Sequence, residues 1–64
     1  MKYVLGDPPR GQSEAFEVLE NVFSAEEFTQ AEAQEVLEET LDMSSSEARN
    51  ELRRLMRSGA IEEA

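Results

Sequence analysis

The chain carries the same helix-start signal twice. Thr29 with Glu32, and Ser44 with Glu47, each form a T/S-x-x-E pattern, fifteen residues apart. In such a box the hydroxyl accepts the backbone N–H three residues on. The glutamate reaches back to the N–H of the hydroxyl residue, so two donors left open at a helix start are satisfied. Each box is flanked by a hydrophobic staple, Phe28 with Ala33 in the first and Met43 with Ala48 in the second. The first helix must end soon after Leu41, so only three or four residues remain for the turn before the second. A turn that short sets two helices in a tight corner.

Apolar spacing assigns the faces. In the segment after Thr29, Ala33, Val36, Leu37, Thr40 and Leu41 form the expected buried stripe, with Glu32, Glu35, Glu38, Glu39 and Asp42 outward. In the segment after Ser44, Ala48, Leu52, Leu55 and Met56 point inward. Gly59 reads as the stop, because glycine accepts the left-handed conformation at a helix end. Arg57 sits in the last turn, where the helix dipole favours a cation. Ile61 lies past the stop and is expected to fold back onto the core, in a short strand.

An earlier helix runs from Ser13, its cap, to Phe23, with Glu14 and Glu17 at the positive end of the dipole. Ala15, Phe16, Val18, Leu19, Val22 and Phe23 fill one broad arc, which suits a central helix with two neighbours. Before it, residues 2–5, KYVL, are β-prone, and GDPPRG is a loop. That loop lacks the spacing and the lysine of a phosphate-binding P-loop.

Sixty-four residues make one small domain, with residues 1–12 as strand and Pro/Gly loop and residues 13–64 as a three-helix core. There is no cysteine and no histidine. Disulfides, thiolate metal sites, a thiol nucleophile and a Ser-His-Asp triad are therefore excluded. No calcium-loop pattern is present. The expectation is a non-enzyme with no cofactor, no metal and no small-molecule substrate. No apolar run is long enough to span a membrane, and the start is too short for a secretory signal, so a soluble, cytoplasmic protein with no membrane partner is expected.

The net charge is −9. Residues 1–43 hold eleven acids and two basic residues, whereas residues 44–64 hold four acids and four arginines. The acidic excess thus belongs wholly to the first two thirds. Its glutamates read as a solvated face. An acidic chain with one lysine against five arginines resembles proteins of salt-loving archaea in composition. An ordinary acidic small protein is the alternative. Within the last third, Arg49, Arg53 and Arg57 recur at i, i+4 and i+8, with Ser46 and Asn50 beside them, opposite Ala48, Leu52 and Leu55. Arg54 lies apart, where Glu51 can pair with it at i, i+3.

The segment FTQAEAQEVLEETLDMSSSEARNELRRLMRSGAIEE resembles the winged helix-turn-helix domains. The resemblance covers roughly residues 13–63. Its most telling feature is an L-x-x-L-x-x-x-G-x-I ending, here Leu52, Leu55, Gly59 and Ile61. It implies a mainly α, three-helix domain with one or two short β-strands. It also implies a small DNA-binding or transcription-associated protein using the third helix, residues 45–57. Ser46, Arg49, Asn50, Arg53 and Arg57 would then face double-stranded DNA, arginine reading guanine, asparagine reading adenine and the rest holding phosphates. The chain departs from the family after Ile61, where the few residues to Ala64 leave no room for the wing hairpin. KYVL is the candidate strand to pair with residues 60–63 instead. The competing expectation is a protein–protein interaction module of the same fold, docking on a partner or a second copy of itself.

Overall fold

The computed structural model describes residues 1–11 and 13–64; Gln12, at the end of the expected 1–12 segment, lies outside the described residues. The element order is β1 (Tyr3–Leu5), α1 (Glu14–Phe23), α2 (Gln30–Thr40), α3 (Ser45–Ser58) and β2 (Ile61–Glu63). The domain is mainly helical, with two short strands, as the spacing of apolar residues and caps requires.

All three helix starts are where the cap residues place them. The Ser13 hydroxyl accepts the Phe16 N–H at 3.2 Å. Thr29 and Ser44 each form the complete reciprocal box, with Glu32 accepting the Thr29 N–H at 2.8 Å and Glu47 the Ser44 N–H at 3.1 Å. Gly59 closes α3 at φ 86°, and the Ala60 N–H reaches back to the Leu55 carbonyl at 2.9 Å. Residues 41–44 make the turn between α2 and α3, with Asp42 at φ 55°. Aspartate tolerates that left-handed conformation better than most side chains.

The Glu32 carboxylate is held below its ordinary pKa, first by the hydrogen bond from the Thr29 backbone N–H, then by the Thr29 hydroxyl, with Lys2 contributing its charge. A folded-state pKa below the unfolded value gives stability that is present above the ordinary carboxylate range and lost as pH falls through the folded value. Glu32→Gln keeps a side-chain acceptor but cannot titrate. The melting-temperature advantage of the parent over Glu32→Gln should therefore shrink as pH is lowered through the carboxylate range. A gap that stays constant with pH would rule this linkage out.

The core lies where the three helices meet the sheet. Phe16 and Leu19 of α1, Ala33 and Leu37 of α2, and Ala48, Leu52 and Leu55 of α3 are buried together with Phe28, Ala60 and Ile61. α3 packs chiefly on α2, and also on α1 and β2. Two expected core positions differ. Thr40 is exposed, because the core side of α2 is already filled by Ala33 and Leu37. Val22 is 52% exposed, because the neighbours of α1 cover the Phe16–Leu19 side of its arc and leave this flank open.

β1 and β2 pair antiparallel, with Leu5 opposite Ile61, Val4 opposite Glu62 and Tyr3 opposite Glu63. This is the pairing between KYVL and residues 60–63 that the sequence suggests. Residues on directly opposed positions share a face, so Leu5 and Ile61 turn to the core while Val4 and Glu62 turn away. On its other edge β1 meets Phe28, with reciprocal backbone bonds between Tyr3 and Phe28 of 2.7 and 2.9 Å. The N-terminal strand is thus the middle of three extended segments.

Gly6 ends β1 against the cap of α3. Its N–H donates to the Ala60 carbonyl at 2.7 Å, and a Cβ there would lie 2.6 Å from the Gly59 carbonyl oxygen. That oxygen belongs to backbone fixed by the helix cap and cannot swing aside. Gly6→Ala should destabilise the domain by about 1–3 kcal/mol, the usual range for overpacking. Urea unfolding measures it, and an unchanged midpoint would refute the close approach.

Candidate nucleic-acid interface

α3 has an inner and an outer face, and the same residues fix both. Burying Ala48, Leu52 and Leu55 against α1 and α2 turns the opposite side of the helix to solvent. Arg49, Arg53 and Arg57 lie there, one turn apart, and all three are exposed. Ser46 and Asn50 are exposed beside them. The structure therefore brings all five expected residues onto one face of one helix. Among the described residues, none of their side chains forms a hydrogen bond or an ion pair.

Arg54 behaves differently, as its spacing predicts. It donates to Glu51 at 3.1 Å, the one salt bridge among the described residues. Both groups reach solvent, so the pair contributes at most about 1 kcal/mol. Its effect on charge layout is larger. Glu51 is neutralised locally, and Glu47 is turned to the cap of Ser44. No acid of α3 falls within the arc from Arg49 to Asn50.

The helix that presents this face is well anchored. Its start is held by the Ser44–Glu47 box and its end by Gly59, and the α2–α3 turn fixes its direction relative to α2. Three guanidiniums offer five N–H donors each on a rigid support, with no acceptor among the described residues engaging them. Ser46 and Asn50 add short polar groups near the helix start, Asn50 with both donors and an acceptor. That set suits an anionic or hydrogen-bonding surface. It holds no nucleophile–base pair, and no group of three or more acidic side chains among the described residues is arranged to hold a metal ion. No helix of the described residues is long and apolar enough to cross a membrane. Comparison with protein-family models, with curated proteins and with solved structures gave no significant match.

Proposed function

We propose that the protein is a small DNA-binding or transcription-associated protein of winged-helix type that lays α3 in the major groove. The observation that carries this reading is the outer face of α3: three exposed arginines at helical spacing, unpaired among the described residues, with Ser46 and Asn50 beside them and no acid between. An α-helix fits the major groove, and arginine and asparagine are the side chains that recognise guanine and adenine edges there. The helix corner between α2 and α3 supports the winged-helix resemblance. The strand ribbon departs from it, since β2 pairs with the N-terminal β1 and not within a wing hairpin.

The net charge of −9 does not oppose this outright. At ~0.15 M salt the Debye length is ~8 Å, so carboxylates on α1 and the outer side of α2 are largely screened from a duplex on α3. Few phosphates are neutralised, so the salt dependence is shallow, with a slope near −0.9 for each phosphate held. Three arginines on phosphates thus give a slope of about −2.7, and a shallower one if any of them reads a base. Specific binding then rests on base contacts, and on a second copy or a larger assembly reaching adjacent sites. Titrating a mixed-sequence duplex at several salt concentrations tests the reading. Binding that weakens with salt at about that slope supports it, and no binding at low salt overturns it.

A second reading has one observation in its favour. All of the acidic excess lies in residues 1–43, so the chain as a whole repels a polyanion while the α3 face alone attracts one. An acidic protein surface meeting that face would satisfy the same arginines. Association with a protein partner that is indifferent to DNA and abolished by Arg53→Glu would mark this reading as the right one.

A further inference from the structure

The opposite flank of α3 borders an open groove of about 1010 Å³ between the Pro8–Arg10 loop, the start of α1, the α2–α3 turn and α3 itself. Its apolar lining comes from Pro8, Pro9, Ala15, Leu41, Met43 and Leu55. Leu41 and Met43 are only partly buried, so the core does not use them fully. The charged lining is lopsided: of six charged side chains, Glu14, Asp42, Glu47 and Glu51 are carboxylates, against Arg10 and Arg54. Arg54 and Glu51 are tied to each other, which leaves Glu14, Asp42 and Glu47 against Arg10. The carboxylates come from three different elements and stand around the apolar lining. No three of them converge as a metal site would require.

We infer that this groove is a docking site for an amphipathic protein segment that is basic at its flanks and apolar at its centre. Charge complementarity selects that occupant. An acidic or neutral segment would bring its own charge, or none, against a carboxylate-rich rim. A small inorganic cation would find no convergent ligands. The volume lies at the top of the range of ligand-sized clefts, about 300–1,000 Å³, which leaves room for several apolar side chains. The helix-in-groove mode uses apolar anchors of this kind. Glu47 and Glu51 lie on the side of α3 away from the Arg49–Arg53–Arg57 stripe, so the groove and the stripe use different flanks of one helix. The inference does not depend on DNA binding: the groove can be occupied whether or not the stripe is.

The test uses the full chain and two synthetic probes, a leucine/lysine amphipathic helix and its leucine/glutamate counterpart, titrated by fluorescence anisotropy. The leucine/lysine peptide should bind and the leucine/glutamate peptide should not. Glu14→Gln with Asp42→Asn and Glu51→Gln removes three groove charges while asparagine keeps the left-handed turn at position 42. It should weaken binding about tenfold, the sum expected for a few exposed pairs. Glu35→Gln with Glu39→Gln, on the solvent side of α2, should leave it within about twofold. Pro8→Ser with Pro9→Ser, which spares every charge, should also weaken it severalfold. Failure of the leucine/lysine peptide to bind overturns the inference. So does equal weakening by the groove and α2 variants, which would mark general attraction to an acidic protein. Insensitivity to the proline changes would likewise overturn the apolar docking.

Discussion

Phe28→Ala should leave the protein without a cooperative unfolding transition at 25 °C. Phe28 is fully buried, although it belongs to no helix and to neither named strand. Its ring stacks on Phe23 at 4.7 Å between centroids and 22° between planes. Its backbone exchanges two hydrogen bonds with Tyr3, and the next residue is the cap of α2. One side chain therefore joins the end of α1, the start of α2 and the N-terminal strand. Alanine keeps the backbone bonds but loses the ring, and phenylalanine-to-alanine changes in cores cost about 3–5 kcal/mol. A domain of this size has a total stability of roughly 3–10 kcal/mol. The loss is comparable with the whole. Val22→Ala is the matched control, since a half-exposed valine on an open flank should change stability by less than about 0.5–1 kcal/mol. Urea or thermal melts followed by circular dichroism, at a salt concentration where the parent is folded, decide it. A Phe28→Ala melt within a few degrees of the parent would show that the ring is not a keystone.

The elements that the sequence reveals are those specified by neighbours three or four residues apart. The caps at Ser13, Thr29 and Ser44 and the stop at Gly59 each depend on a short local pattern, and each stands where that pattern puts it. The Arg54–Glu51 pair is legible for the same reason. The outer face of α3 follows by subtraction, once Ala48, Leu52 and Leu55 are assigned inward. Burial at the margins is another matter. Periodicity says which arc of a helix is apolar but not how much of that arc the neighbours cover, which is why Val22 and Thr40 end up exposed. The Tyr3–Phe28 bridge pairs residues twenty-five positions apart, with no turn signal linking them. Ser24 at φ 56° carries no residue type that announces it. The groove beside Leu55 is the least legible feature, since it exists only when a proline loop, a helix start and a helix corner converge.

Replacing Arg49, Arg53 and Arg57 together by glutamine should abolish duplex binding while leaving the fold unchanged. All three side chains are exposed and none is engaged with another described residue, so no internal bond is lost. Glutamine is nearly as good a helix former as arginine, so α3 should keep its stability within about 0.5 kcal/mol. On DNA the effect is large. Losing a base-directed arginine contact costs about 1–3 kcal/mol, and a phosphate contact removed lowers the salt slope by about one. Three such losses amount to more than about a hundredfold in affinity at about 1.4 kcal/mol per decade. Part of any such loss comes from making an acidic chain more acidic, and Arg10→Gln with Arg54→Gln measures that part. Those two arginines line the groove on the other flank and should change duplex affinity by only a few fold. The salt slopes separate the two effects, since lost contacts flatten the slope whereas a general charge change moves the whole curve. If the Arg10/Arg54 variant weakened binding as much as the triple variant, net charge and not the outer face of α3 would govern association. If the triple variant bound the duplex as well as the parent, α3 would not be the helix that enters the groove.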